Sequence, residues 1–123
     1  MNDKKRILHV DDEPDILETV KTILENEGFE VVSVDSGKEA LKQIKSNNFD
    51  LFILDVMMPD MSGWDLFTRI KKLKSDYKVI ILSIIEVSQS RLKELQAHGI
   101  SDYITKPFHR DDFVKRIKKI ILN

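Results

Sequence analysis

Four places in the sequence carry side chains able to do chemistry: the acidic pair Asp11-Asp12, the carboxylate of Asp55, the hydroxyl of Ser83 and the ammonium of Lys106. Each stands just after a run of apolar residues: Ile7, Leu8 and Val10; Leu51 to Leu54; Val79 to Leu82; Tyr103 and Ile104. Such runs are typical of strands buried in a parallel sheet. In an open parallel sheet, ligands bind in the crevice beyond the carboxyl ends of the strands. Three carboxylates gathered there repel one another unless a cation neutralises them, and Mg2+ favours hard oxygen ligands. A divalent metal is therefore expected. With Mg2+ and Lys106, about three positive charges meet about three negative ones, and the site becomes a receptor for a dianionic phosphoryl group. Asp55 is then the candidate nucleophile, since a carboxylate can accept a phosphoryl group covalently. Ser83 is placed to donate a hydrogen bond to the product.

The elements that must position these residues are legible in the periodicity. Val- and Ile-rich runs alternate with segments of helical spacing, the pattern of β-α units in an α/β protein. Five pairs are expected. After the first strand, Ile16, Leu17, Val20, Ile23 and Leu24 form the inner face of a helix that Gly28 ends. Val31, Val32 and Val34 make a second strand, and Ser36 with Glu39 fits a capping box opening a helix that buries Ala40, Leu41 and Ile44. A third helix starts near Gly63 and is expected to bury Trp64, Phe67 and Ile70. Leu92 and Leu95 mark a fourth helix closing near Gly99, and Phe113, Val114, Ile117, Ile120 and Ile121 stripe the last.

Composition narrows the classes further. A length of 123 residues suits one core, and 41% hydrophobic with 33% charged residues excludes a wholly disordered chain. Lys plus Arg is 20 and Asp plus Glu is 21, a net charge of -1, so no global field attracts nucleic acid or an anionic membrane. The absence of cysteine excludes disulfides and thiolate chemistry. In Met1 to Val10 the acidic residues that follow interrupt any signal-peptide pattern, and no apolar run approaches the roughly 20 residues that span a bilayer. A cytoplasmic protein with no membrane partner is expected. His9, His98 and His109 lack metal-ligand spacing and are expected to be structural or surface residues. Lys115, Arg116, Lys118 and Lys119 are expected to form a solvated basic face, and no helix-turn-helix suggests direct nucleic-acid binding.

Taken together, Asp11-Asp12, the run Asp55-Val56-Met57-Met58-Pro59-Asp60-Met61-Ser62-Gly63, Ser83, and Tyr103-Ile104-Thr105-Lys106-Pro107-Phe108 resemble the response-regulator receiver domain of two-component signalling, chemotaxis-regulator-like. The resemblance covers essentially the whole chain, and several separated motifs in the right order make it specific. It implies one receiver domain over residues 1–123, with no output domain, and a flavodoxin-like (βα)5 doubly wound sandwich of strand order 2-1-3-4-5. It implies phosphorylation of Asp55 by a histidine kinase, with Mg2+ held by Asp12, Asp55 and the Met57 carbonyl, and by Asp11 through water. Lys106 and Ser83 would hold phosphoryl oxygens, and the Lys106-Pro107 peptide would be cis. Tyr103 would be the switch aromatic, turning into space that Ser83 vacates. The readout surface would surround helix 4, strand 5 and helix 5, meeting a downstream effector or output domain, with room for a phosphorylation-induced dimer.

Two features depart from the family pattern. Ile84 replaces the usual small residue after the switch hydroxyl, where its bulk is expected over the pocket, and the segment from Ser83 to Lys106 is one residue longer than is common. Met57 and Ile85 stand where polar side chains often orient the attacking water, so slow self-dephosphorylation is expected. Among other functions, an aspartate-nucleophile phosphatase wants a second acid where this chain has Met57, and a flavodoxin-type carrier wants a phosphate loop after strand one. A phosphorylation-independent interaction module is the remaining alternative, with Ile84 as its best argument.

Overall fold

The computed structural model describes residues 4–123; residues 1–3, the start of the N-terminal stretch considered above, lie outside them. The elements run β1 (Arg6–Val10), α1 (Pro14–Asn26), β2 (Glu30–Val34), α2 (Gly37–Ser46), β3 (Leu51–Leu54), α3 (Gly63–Leu73), β4 (Val79–Ser83), α4 (Gln89–Ala97), β5 (Asp102–Thr105) and α5 (Arg110–Ile121). The strands form one parallel sheet in the order β2-β1-β3-β4-β5. This is the expected flavodoxin-like α/β sandwich.

Strand alternation divides the core into two layers. Ile7, Val31, Leu51, Ile53, Ile80 and Leu82 face the α1 residues Val20 and Leu24 and the α5 residues Phe113 and Ile117. Leu8, Val10, Phe52, Leu54 and Ile81 face Ala40 and Ile44 of α2, Leu66, Phe67 and Ile70 of α3, and Leu95 of α4. Every residue of β3 and β4 is buried, which accounts for their unbroken apolar runs. Trp64 is only half-buried; Leu66 takes the central place in α3, because one side of the helix faces the sheet and Trp64 lies toward its margin.

The helix starts are set locally. Ser36, Ser62 and Ser88 accept hydrogen bonds from the backbone N–H of Glu39, Asp65 and Arg91 at 3.2, 3.1 and 3.1 Å, each cap contributing about 1 kcal/mol. Gly28 follows α1 at φ 93°, a left-handed conformation that disfavours a side chain and stops the helix. Among the described residues, no helix is long and apolar enough to cross a membrane.

Candidate functional site

The carboxyl ends of β1, β3, β4 and β5 bring together the side chains that the sequence singled out. Asp11 leaves β1 fully buried, while Asp12 beside it is exposed. Asp55 follows β3 at 5% exposure, Ser83 ends β4 fully buried, and Lys106 follows β5 with its stem enclosed. The Lys106 Nζ donates to Asp11 Oδ2 at 2.7 Å and lies 3.8 Å from Asp55 Oδ2. Ligand atoms of Asp11, Asp12, Glu13 and Asp55 all lie within 4.8 Å of one another. The Lys106-Pro107 peptide is cis.

Backbone geometry places Asp55. Asp55 N–H donates to the Val10 carbonyl at 3.0 Å, tying the end of β3 to that of β1. Gly63 opens α3 so close behind that a Cβ would lie 2.2 Å from the Asp55 carbonyl oxygen; only glycine fits. The intervening loop is pinned at its far side by Asp60, whose carboxylate accepts the N–H groups of Gly37 and Lys38 at 3.1 and 2.9 Å at the start of α2. Those bonds hold the Asp60 carboxyl below the usual carboxylate range.

The electrostatics are those of a site short of positive charge. Burial, then the negative charge of Asp11, pushes the Asp55 carboxyl up to about 6 against the opposing pull of Lys106. Burial alone would lower the Lys106 ammonium, but the hydrogen bond and charge of Asp11 outweigh it and hold Lys106 above an ordinary lysine. One lysine does not balance four neighbouring carboxylates, and a hard divalent cation suits this all-oxygen donor set. The residues therefore fit Mg2+.

The structure adds two participants that the sequence reasoning did not assign. Glu13 is the residue before α1, but its carboxylate makes no capping bond; it meets Lys106 Nζ at 3.3 Å. Its only local signal is its place directly after the acidic pair Asp11-Asp12. Asp60 has none, since its partners lie 22 and 23 residues away.

The two residues expected to switch, Ser83 and Tyr103, are linked through the backbone of Ile85. The Tyr103 ring is already buried, its hydroxyl donating to the Ile85 carbonyl, while Ser83 Oγ accepts the Ile85 N–H at 3.2 Å. The ring thus occupies an inner seat with the Ser83 hydroxyl turned toward its own loop. Ile84 is 63% exposed and Ile85 44%, so their bulk stands out at the end of β4 and is not drawn into the core. Of the basic residues on α5, Arg116 makes a two-point contact with Asp102 at 2.8 and 2.7 Å and Lys118 meets Glu27 at 2.6 Å; part of that charge is satisfied within the chain. His98 and His109 flank α4 and α5 outside the acidic cluster.

A family model described as the response regulator receiver domain matches residues 7–118. The cell cycle transcriptional regulator CtrA of Caulobacter vibrioides is 34% identical over 116 residues, or 94% of this chain and 50% of CtrA. The chain thus spans about half the length of the curated relatives it matches. The response regulator protein TrrA of Thermotoga maritima, solved in complex with Mg(2+)-BeF, is 40% identical with a TM-score of 0.81 across 94% of this chain and 98% of that one. TrrA in complex with the histidine kinase ThkA matches at 39% identity and a TM-score of 0.83, covering 95% and 98%. By the family model that matches residues 7–118 and these relatives, this chain belongs to the response regulator receiver domain family of two-component signalling.

Proposed function

We propose that the chain acts as a single receiver domain, a phosphorylation-dependent switch that takes a phosphoryl group onto Asp55 from the phosphohistidine of a histidine kinase. The observation that carries this reading is Asp55 itself: a nearly buried carboxylate 3.8 Å from a lysine ammonium, inside a cluster of acids that suits Mg2+. The solution of TrrA with ThkA supports a kinase as donor. Asp12, Asp55 and the Met57 carbonyl would hold Mg2+, with Asp11 acting through water. When bound, Mg2+ neutralises the carboxylates and stabilises charge on the phosphoryl oxygens.

The chain's own groups do the rest. An Asp55 carboxylate oxygen forms its bond to phosphorus as the phosphorus–nitrogen bond of the donor breaks, the electron pair leaving on the imidazole nitrogen. Lys106 turns from Asp11 toward a phosphoryl oxygen, a short movement given its two distances of 2.7 and 3.8 Å. Ser83 exchanges the Ile85 N–H for another phosphoryl oxygen. Because Ile85 bonds both Ser83 and Tyr103 through its backbone, that exchange is felt at Tyr103 and on the surface around α4, β5 and α5, which an effector or output domain reads. The chain is not a dedicated enzyme in this reading; it catalyses its own phosphorylation and a slow loss of the group. Met57 and Ile85, both exposed and apolar, offer no hydrogen bond to position an attacking water.

The test is intact mass after incubation with acetyl phosphate. A one-phosphoryl gain is expected that needs Mg2+, is absent in Asp55→Asn, and decays over hours, and faster in Met57→Asn. No adduct from either acetyl phosphate or a phosphorylated kinase would leave the phosphorylation-independent module instead. Decay within seconds would overturn the slow-hydrolysis reading alone.

A further inference from the structure

His9 sits on β1, an inner strand of the sheet, 0% exposed, and among the described residues neither ring nitrogen has a hydrogen-bond partner. Its neighbour across the β1·β2 ladder is Ser33, whose buried Oγ is likewise unpartnered. Two orphaned polar side chains side by side in a core are costly, whereas leucine and alanine would fill the same places at no polar cost. The ring lies on the same face of the strand as Asp11, with Nε2 3.9 Å from Asp11 Oδ2. Asp11 is fully committed: Oδ1 accepts the Glu13 N–H at 3.0 Å and Oδ2 accepts Lys106 at 2.7 Å. When Lys106 turns to a phosphoryl oxygen, Oδ2 loses its donor while the carboxylate stays buried and charged. His9 Nε2, 3.9 Å away, is a side-chain donor about 1 Å beyond ordinary hydrogen-bond distance.

We propose that His9 is a positioning residue for Asp11, its neutral ring donating Nε2–H to Asp11 Oδ2 once Lys106 has left, with the Ser33 hydroxyl donating to Nδ1 and holding that tautomer. A neutral imidazole has one donor and one acceptor nitrogen, and the Asp11 carboxylate on one side with the Ser33 hydroxyl on the other matches that pair. The arrangement is a carboxylate held by a buried imidazole behind a metal site, a role that typically carries tenfold or greater effects on affinity. The inference rests on the proposed function, and its test separates the two.

Binding of Mg2+, and of beryllofluoride in the presence of Mg2+, is measured by calorimetry for the wild type, His9→Leu and His9→Gln. Loss of the donor in His9→Leu is expected to weaken beryllofluoride binding about tenfold. Mg2+ alone is expected to change less than about threefold, because Lys106 then still holds Asp11. His9→Gln, which keeps a donor at similar reach, recovers most of the loss. His9→Leu is expected to melt no lower than the wild type, which a purely structural histidine would not allow. On the wild type itself, 15N-edited imidazole spectra should show the Nε2–H tautomer with its nitrogen signal moving on beryllofluoride binding and not on Mg2+ alone. Equal beryllofluoride affinity in wild type and His9→Leu, or an unmoved ring signal, overturns the role of His9 and leaves the proposed function standing. A wild type that binds neither probe overturns both.

Discussion

At Asp55, burial and a neighbouring carboxylate oppose a lysine ammonium, and the acid ends near 6 where an ordinary aspartate lies at 3.8. Its folded-state value is thus raised above the unfolded one. Between the two values the native state holds a proton that the unfolded chain releases, so protonation favours the fold and stability falls as pH rises through about 6. Above that, native Asp55 is ionised and the full penalty is present. In metal-free protein, Asp55→Asn is therefore expected to be more stable than wild type by about 1 to 2 kcal/mol near neutral pH. The gain should shrink below pH 6 and vanish near pH 4. Thermal melts in chelator across that range check it; a constant difference would show that Asp55 does not titrate as its surroundings dictate.

At the scale of elements, the site depends on how closely α3 follows β3. Gly63 lets the first turn of α3 rest against the Asp55 backbone, where a methyl group would lie 2.2 and 2.9 Å from the carbonyl oxygen and carbon. Neither atom is a flexible side-chain end, so α3 or the end of β3 must shift. Gly63→Ala is expected to cost about 2 kcal/mol or more and to slow phosphorylation by displacing Asp55. Gly28→Ala meets open space but keeps φ 93°, so it should cost about 1 kcal/mol and leave phosphorylation unchanged. Urea denaturation with initial rates from acetyl phosphate separates the two, and equal effects on rate would refute the close-approach argument. These two glycines also show what was legible. Gly28 as a helix end and Gly63 as a helix start both follow from local pattern, but the contact of Gly63 with Asp55 depends on packing.

At the scale of the whole molecule, the candidate metal ligands come from β1 and β3 with their lysine from β5, and converge only in the folded sheet. An unfolded chain scatters them and offers no comparable site. Mg2+ is therefore expected to stabilise the native state by mass action, about 2.7 kcal/mol at a concentration of 100 times its Kd. Denaturation midpoints with increasing Mg2+ check this, and a midpoint indifferent to Mg2+ would argue against a preformed site. The two core layers either side of the sheet hold the strand ends in place, so the chemistry draws on the stability of the whole fold.

The sequence alone determined the alternation of strands and helices, the Ser36 cap, and the identity of Asp11, Asp12, Asp55, Ser83 and Lys106, because periods of two and 3.6 residues and strand-end positions are local properties. It also misplaced burial at Trp64, since periodicity defines a helical face without saying which residue of that face reaches the centre of the sheet. Only the tertiary structure decided that Lys106 rests on Asp11, 95 residues away, that Glu13 joins the site while Asp60 pins the loop beside it to α2, and that Ile84 faces outward. It alone set Tyr103 in its inner seat and left His9 beside Ser33 with no hydrogen-bond partner among the described residues. Those facts depend on strand order and side-chain packing, which bring distant residues within a few ångströms of one another, and no local pattern carries that information.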